Sequence, residues 1–448
     1  MRHRFAPAAL AALGTLAFAA AGCGGNDNNS STGGGASTAA KTTPSTANVA
    51  GNISIVGIWT GDEQKSFQAV IDGFTKTHPK VNVKYNPAGD NVPTVLGTAV
   101  EGGNPPDLAA IGQPGVVKQF QEKNALKPLD FARADVAKNY PADFIKLGTI
   151  NGKLYSFVFK GANKSTVWYN VDAFKNAGVN PPANWGDFLN NAKTLKASGV
   201  PAYSIGGGDG WTLTDLFENL YLRQAGADKY DQLSTHQLKW TDPSVKATLQ
   251  AMSQVFKDKG NIAGGTSGAL ETDFPTSVSN VFTSSPMAAQ VIEGDFVPGV
   301  VASKTKLKPK TGYDVYPFPQ IGSSAGAVVG GGDSIAMFKD TPAGEAFVKY
   351  LASPQAAQIW AQRGGFSSPN KGVADSVYPD DITRTTATAI AKAQTFRFDM
   401  SDLAPAAFGG TPGQGEWKIL QDFLNKPANV DGTAAKLEAS AAKAFKNN

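Results

Sequence analysis

The apolar positions near the start of the body alternate between two periods. Ile53-Ser-Ile-Val-Gly-Ile-Trp59 reads as a buried strand. Gly61 breaks it, and Asp62 and Glu63 open a helix in which Phe67, Val70, Ile71 and Phe74 share one face. Pro79 ends that helix. Val81 to Tyr85 alternates as a second strand. A helix through Val95, Leu96 and Val100 stops at Gly102-Gly103, and Asp107 to Ile111 forms a third strand. Strand, helix, strand, helix, strand predicts a parallel sheet with helices on its faces.

The pattern changes after the apolar run Lys153 to Phe159. A polar stretch, Lys160 to Thr166, leads into Val167-Trp-Tyr169 and a mainly helical region. Asn184 is placed to cap a helix with Asp187 at its third position, and Trp185, Phe188, Leu189, Ala192 and Leu195 follow at helical spacing until Gly199. Further helices carry Leu213 to Leu222 and Val245 to Phe256. Tyr313 to Tyr316 reads as a strand, and Val328 to Phe338 as an apolar strand interrupted by three glycines, Gly330 to Gly332. Thr341-Pro342 and Ser353-Pro354 each begin a helix, and the rest is mostly helical to Phe445. No internal repeat is present.

The N-terminus reads as an address. Arg2 and Arg4 precede a small-apolar run, Ala6 to Ala21, too short to span a membrane comfortably. It ends Ala20-Ala21-Gly22-Cys23, which resembles the bacterial lipobox, with Ala20 where that pattern usually has Leu. The resemblance implies a signal peptide over 1–22 and lipidation of Cys23. The alternative is a soluble secreted protein with Cys23 a stray thiol. Residues 24–50 are rich in Gly, Ser, Thr and Asn and read as a flexible tether.

At 448 residues the chain can hold two substantial cores, and 41% apolar with 17% charged residues is a globular composition. Its net charge of +4 comes without any basic run, so nucleic acid is not an expected partner. The 3 histidines are scattered and the cysteine is single, which excludes an internal disulfide, a four-cysteine zinc site and an iron–sulfur cluster. No cofactor or metal is expected.

Eight short stretches, in order, carry a family likeness: Trp59-Thr-Gly-Asp-Glu63, Glu101-Gly-Gly-Asn-Pro-Pro-Asp107, Gln113-Pro-Gly115, Trp168-Tyr-Asn170, Glu293-Gly-Asp-Phe296, Gly331-Gly-Asp333, Arg363-Gly-Gly-Phe-Ser-Ser-Pro-Asn370 and Phe396-Arg-Phe-Asp399. With them the chain resembles the periplasmic-type solute-binding proteins that deliver carbohydrate to ATP-driven importers, nearer to alpha-glucoside-type members than to maltose-binding protein. The resemblance implies an α/β fold of two lobes joined by hinge segments, a sugar bound between them, and a monomer that meets its membrane permease outside the cell. The first lobe is expected over 51–159 plus 320–352, and the second over 160–319 plus 353–448.

A sugar needs planar polar groups for its hydroxyls and aromatic rings for its CH faces, converging from two walls. Asp62 and Glu63, in the first strand-to-helix turn, are candidate acceptors or simply helix-capping acids. Gln113 follows the third strand. Trp211, after the loop Gly206-Gly-Gly-Asp-Gly210, is a candidate stacking platform, with Asp215 one turn later on the same wall or on a helix surface. Glu293 and Asp295 are candidate acceptors at a strand end. Gly332 would let backbone approach a ligand, with Asp333 pointing into the cleft. Arg363 and Phe366 flank a Gly-Gly turn that could face the cleft, and Arg397 and Trp417 are further candidates. Trp168, Tyr169, Trp185 and Trp360 read as packing residues. Two roles come only from the resemblance: Asn163 stands where the maltose-binding relative has a ligand carboxylate, and Phe296 where relatives carry an aromatic stacker.

Two rival functions remain at this level. Gly322-Ser-Ser-Ala-Gly326 formally matches a hydrolase nucleophile elbow, but it reads as loop then strand, not strand then helix. A secreted carbohydrate-active hydrolase, or a binding protein for a non-sugar solute, is the alternative.

Overall fold

The computed structural model describes residues 49–447. Cys23, the signal segment and nearly all of the tether lie outside the described residues.

The three expected strands, Gly51–Gly57, Val81–Pro87 and Leu108–Ile111, lie side by side and parallel, with the first in the middle. Helices Gly61–Thr77 and Val92–Glu101 connect them. The sheet is extended by the long strand Ala327–Met337, antiparallel to both Leu108–Ile111 and Ser156–Asn163 and parallel to Thr395–Phe398. A second sheet is built from Tyr313–Pro317, Thr166–Asn170, Gln290–Ile292 and Tyr203–Ser204, in that order.

Each sheet has its own core. Ile53, Phe67, Phe74, Phe157, Ile335 and Phe347 belong to the first, and Phe188, Phe217, Leu249, Leu420 and Leu437 to the second. The chain passes between the sheets three times, at 164–165, 318–326 and Asp399. This is the two-lobe α/β architecture.

Two expected boundaries move: strand Ser156–Asn163 lies wholly in the first sheet, so the first crossing falls at 164 and not at 160, and the assignment after 353 changes as well. Residues from 353 onward were assigned to the second lobe, yet helix Pro354–Ala361, Phe366 and Tyr378 pack into the first core. Trp360 decides this: its ring lies 4.9 Å from Trp59 and 5.3 Å from Phe366. The cap at Ser353 announces a helix but not which sheet the helix covers. Ile382 reaches a second-lobe cluster with Trp168, Val278 and Tyr313, and from Met400 onward, with Phe408 and Phe423, the C-terminal segment joins the second core.

Local signals are met where the side chain does the work itself. Asn184 accepts from the Asp187 amide at 3.0 Å, and Thr341 and Ser353 cap their helices. Trp168 is fully buried and donates to Gly294 O at 3.0 Å. Trp185 is only partly buried and donates to Gln254 Oε1 at 2.9 Å.

Candidate functional site

The carboxyl ends of the three parallel strands all open on one cavity of about 290 Å³, where ligands of open α/β sheets bind. From the first lobe come Trp59, Thr60 and Glu63 after the first strand, Gly89 and Asp90 after the second, and Gly112 and Gln113 after the third, with Lys160 and Gly332–Asp333 from the antiparallel strands. The second lobe supplies Lys164, Asp209, Trp211, Asp273 to Pro275, Phe296, Asp402 and Trp417.

The first-lobe wall is a charged floor. Lys160 Nζ lies 3.0 Å from Glu63 Oε1 and 3.7 Å from Asp333 Oδ2. Burial disfavours its charge, but Glu63 and Asp333 outweigh burial and push the ammonium up to about 12. Burial also raises the Glu63 carboxyl against the pull of Lys160. The buried Trp59 donates its indole N–H to Asp333 Oδ2 at 2.6 Å, so that carboxylate is held from two sides.

The second-lobe wall is aromatic. Trp211, Phe274 and Phe296 are all partly exposed, with ring centroids 5.5 Å, 6.0 Å and 5.1 Å apart pairwise. Gly210 makes this placement possible. Its φ of 83° suits only glycine, and a Cβ there would lie 2.8 Å from Trp417 Cβ. Helix Trp211–Ser234 therefore starts abruptly, with Trp211 at the cavity.

Between the walls, Lys164 joins the crossing segments. Its Nζ lies 2.5 Å from Asp399, 3.0 Å from Asp215 and 3.5 Å from Asp402. Against burial, Lys164 holds the Asp399 carboxyl well below its usual range, while burial and then Asp399 push Asp402 well above. Burial raises Asp215 to about 8 despite Lys164.

A two-walled interlobe cavity, with aromatic rings facing charged and hydrogen-bonding groups, offers both kinds of contact that a small polar solute needs. The sequence profile described as bacterial extracellular solute-binding protein matches residues 59–358. The chain belongs to this family. It is similar to the osmoprotective compounds-binding protein of Synechocystis sp. (29% identical over 389 residues, 85% of this chain and 90% of the relative). It is also similar to the alpha-glucosides-binding periplasmic protein of Rhizobium meliloti (29% over 400 residues, 86% of each). Among solved structures it resembles the GacH receptor of Streptomyces glaucescens, described unliganded and with acarbose. That match has a TM-score of 0.71 at 20% identity and covers 89% of this chain and 99% of that one.

In this solute-binding protein, Glu63, Gln113, Trp211, Phe296, Gly332 and Asp333 come together on the cavity as expected. The other expected residues do not reach it. Asp62 turns outward to Lys65 at 2.8 Å. Asn163 is buried at the first crossing, donating to Thr386 O at 3.2 Å and accepting from Ser165 N at 2.9 Å. Asp215 lies beneath the wall on Lys164. Glu293 faces a pocket of about 20 Å³ behind Thr212 and Leu216. Asp295 accepts from Ser367 Oγ, tying the lobes together. Arg363 donates to Ser66 Oγ at 3.0 Å, and Phe366 packs against Phe159 and Trp360. Asn163 was expected from the resemblance alone and the others from a neighbouring turn or strand end, but neither sets side-chain direction. Arg397, a weaker candidate, pairs at the surface with Asp231, whereas Trp417 does line the cavity.

Sequence reasoning missed Asp90, Asp209, Phe274, Lys160, Lys164 and Asp402. The polar stretch between two apolar strands was a usable signal for the two lysines, as was the glycine loop for Asp209. Asp402 and Phe274 carry no local mark.

Proposed function

We propose that this protein captures a carbohydrate, an alpha-glucoside or other oligosaccharide, and delivers it to the permease of an ATP-driven importer. The observation that carries the reading is the pairing of opposed walls. Trp211, Phe274 and Phe296 offer apolar faces for sugar CH surfaces, while Glu63, Asp333, Lys160 and Gln113 offer acceptors and donors for hydroxyls. The names of the two relatives support it, one binding alpha-glucosides and the other osmoprotective compounds. The receptor with acarbose adds the same fold. The lobes close on the ligand about their crossing segments, and the closed form meets the permease.

The ligand leaves unchanged. The serine of Gly322 to Gly326 sits in a loop ahead of strand Ala327–Met337, not in a strand-to-helix elbow. The protein works as a monomer, exported behind a cleaved signal and held at the outer membrane face by lipid on Cys23. Among the described residues no helix is long and apolar enough to cross a membrane.

A thermal-shift screen against mono- and oligosaccharides tests the reading, since a ligand that binds only the folded form raises the melting temperature. A shift with at least one sugar, returned intact, is expected. No shift with any sugar at millimolar concentration, or release of cleaved product, overturns it.

A further inference from the structure

The charges around the cavity do not balance, and the imbalance is localised. Six carboxylates line it, Glu63, Asp90, Asp209, Asp273, Asp333 and Asp402, against two ammonium groups, Lys160 and Lys164. Both lysines are committed. Lys160 is held by Glu63 and Asp333, and Lys164 by Asp399, Asp215 and Asp402. Asp273 is exposed and caps its helix through the Thr276 amide at 2.8 Å. What is left is Asp90 from the first lobe and Asp209 from the second, neither of which has an ion-pair partner among the described residues. Asp209 uses one oxygen to accept from Phe274 N at 2.6 Å, and the other is free.

Both carboxylates line the same cavity, Asp90 on the first-lobe wall and Asp209 on the second. Burial, then the charge of Asp209, raises Asp90 to about 7 against the pull of the Trp211 side chain and the Lys164 charge. The surrounding rings already face cations: Lys160 Nζ is 5.2 Å from the Phe296 centroid and Lys164 Nζ 5.7 Å from that of Trp211. Gln113 is buried at the first-lobe wall, and its Oε1 acceptor has no partner. A neutral hydroxyl donates one hydrogen bond and leaves the carboxyls either to repel or to take up a proton. A positively charged nitrogen satisfies both carboxylates and can rest against an aromatic face. No group of three or more metal-ligating side chains forms a cation site among the described residues, so an organic cation fits better than a metal ion.

We propose that the solute carries a positively charged nitrogen, as in an amino sugar or an amine-bearing glycoside, seated between Asp90 and Asp209 beside Trp211. The inference rests on the carbohydrate reading and narrows its ligand class. The same seat draws the lobes together, because the cation replaces their repulsion by two attractions.

Calorimetry with matched probes tests it: maltose and trehalose, their mono-amino analogues with one hydroxyl replaced by an amine, and choline as a cation without a sugar. At least one amino analogue is expected to bind tenfold or more tighter than its parent at pH 7. That preference should fall below threefold in the Asp90→Asn/Asp209→Asn variant, and also in 1 M salt with the unaltered protein, which keeps the test valid should the variant misfold. Parents binding as tightly as every amino analogue overturn the cationic seat and leave the carbohydrate reading intact. Choline binding alone keeps the seat and overturns the carbohydrate reading. No binding of any probe overturns both.

Discussion

Lys164→Met removes the one cation from a buried knot of carboxylates, and the structure sets the size of the effect. The Lys164 side chain is 10% exposed and touches three carboxylates, Asp399 at 2.5 Å, Asp215 at 3.0 Å and Asp402 at 3.5 Å. Breaking a buried ion pair from one side typically costs ~3–5 kcal/mol, because a charge is left without compensation. Here the loss is eased, since Asp399 keeps bonds from Ser401 Oγ at 2.7 Å and Asp402 N at 2.9 Å. The other carboxyls can also take protons. Asp215 is already raised to about 8 with the lysine present, and Asp402 is raised well above its ordinary value. Both therefore stay largely protonated up to about pH 8 in parent and variant alike, and the pH-dependent part of the loss comes from Asp399, whose carboxyl the ammonium holds low and whose folded-state pKa rises once the ammonium is gone. A carboxyl with a raised folded-state pKa gives stability that is present at low pH and lost as pH rises. The variant should therefore be ~3 kcal/mol less stable than the parent at pH 8 and closer to it at pH 5. Urea unfolding at both pH values measures this, and Lys164→Met/Asp215→Asn should recover part of the loss. A Lys164→Met protein within about 1 kcal/mol of the parent at pH 8 would refute the reasoning, because the knot would then contribute little.

Three other outcomes follow from the same structure. Trp211→Ala should weaken sugar binding by roughly thirtyfold, about 2 kcal/mol, while the ligand-free melting temperature barely moves; unchanged affinity with a large melting shift would make Trp211 a packing residue. Asp90→Asn should stabilise the ligand-free protein, by at least ~1 kcal/mol more at pH 8 than at pH 5. Asp90, facing Asp209, Lys164 and Glu63, has a folded-state pKa raised to about 7, so the parent loses stability as pH rises toward that value; equal gains at both pH values would contradict it. Cys23→Ser should release the protein from membranes without changing its melting temperature, and a variant found wholly in the membrane fraction would remove the lipid anchor.

The first lobe was legible because its signals are local. Phe67, Val70, Ile71 and Phe74 are buried at helical spacing, and the strand-helix alternation forces a parallel order. The caps at Asn184, Thr341 and Ser353 were legible for the same reason. Lobe membership after 353 was not, since an apolar helix face fits either sheet and only the Trp59–Trp360 contact chooses. Trp211 was readable as an aromatic beside glycines, Phe296 only through the family likeness, and Asp333 as the acid after Gly332. Phe366 carried the same sign and instead packs on Trp360, because a glycine turn frees the backbone without aiming the side chain. Asp90 and Asp402 reach the cavity from segments whose direction depends on the whole fold, which no spacing encodes.

The site and the crossing segments share one rod. The first arm of helix Trp211–Ser234, which runs to a break at Gly226, begins at the cavity with Trp211, and its next turns hold every crossing. Asp215 pairs with Lys164, and Asn219 Nδ2 donates to Lys164 O at 2.8 Å, which fixes the first crossing. Arg223 Nη2 donates to Ala327 O at 2.7 Å, which fixes the second. Glu218 accepts from Met400 N at 2.8 Å and Ser401 N at 3.0 Å, which fixes the third. Residues 215, 218, 219 and 223 lie on neighbouring turns, so one helix face makes all these bonds. Buried polar bonds of this kind are costly to break, so the crossings travel with the second lobe. Bending in the proposed closure must then fall on the first-lobe side of Lys164, Ala327 and Asp399. There strand 156–163 lies against Gly330 to Gly332. A Cβ on Gly332 would lie 2.5 Å from Val158 Cγ1 and 2.7 Å from Lys160 O, so only glycine lets these strands approach so closely. Lys160, on that strand, carries the first-lobe floor of the cavity. A ligand pressed between Trp211 and Lys160 therefore bridges the rigid rod and the segment that must flex, which is where binding energy can act on lobe closure.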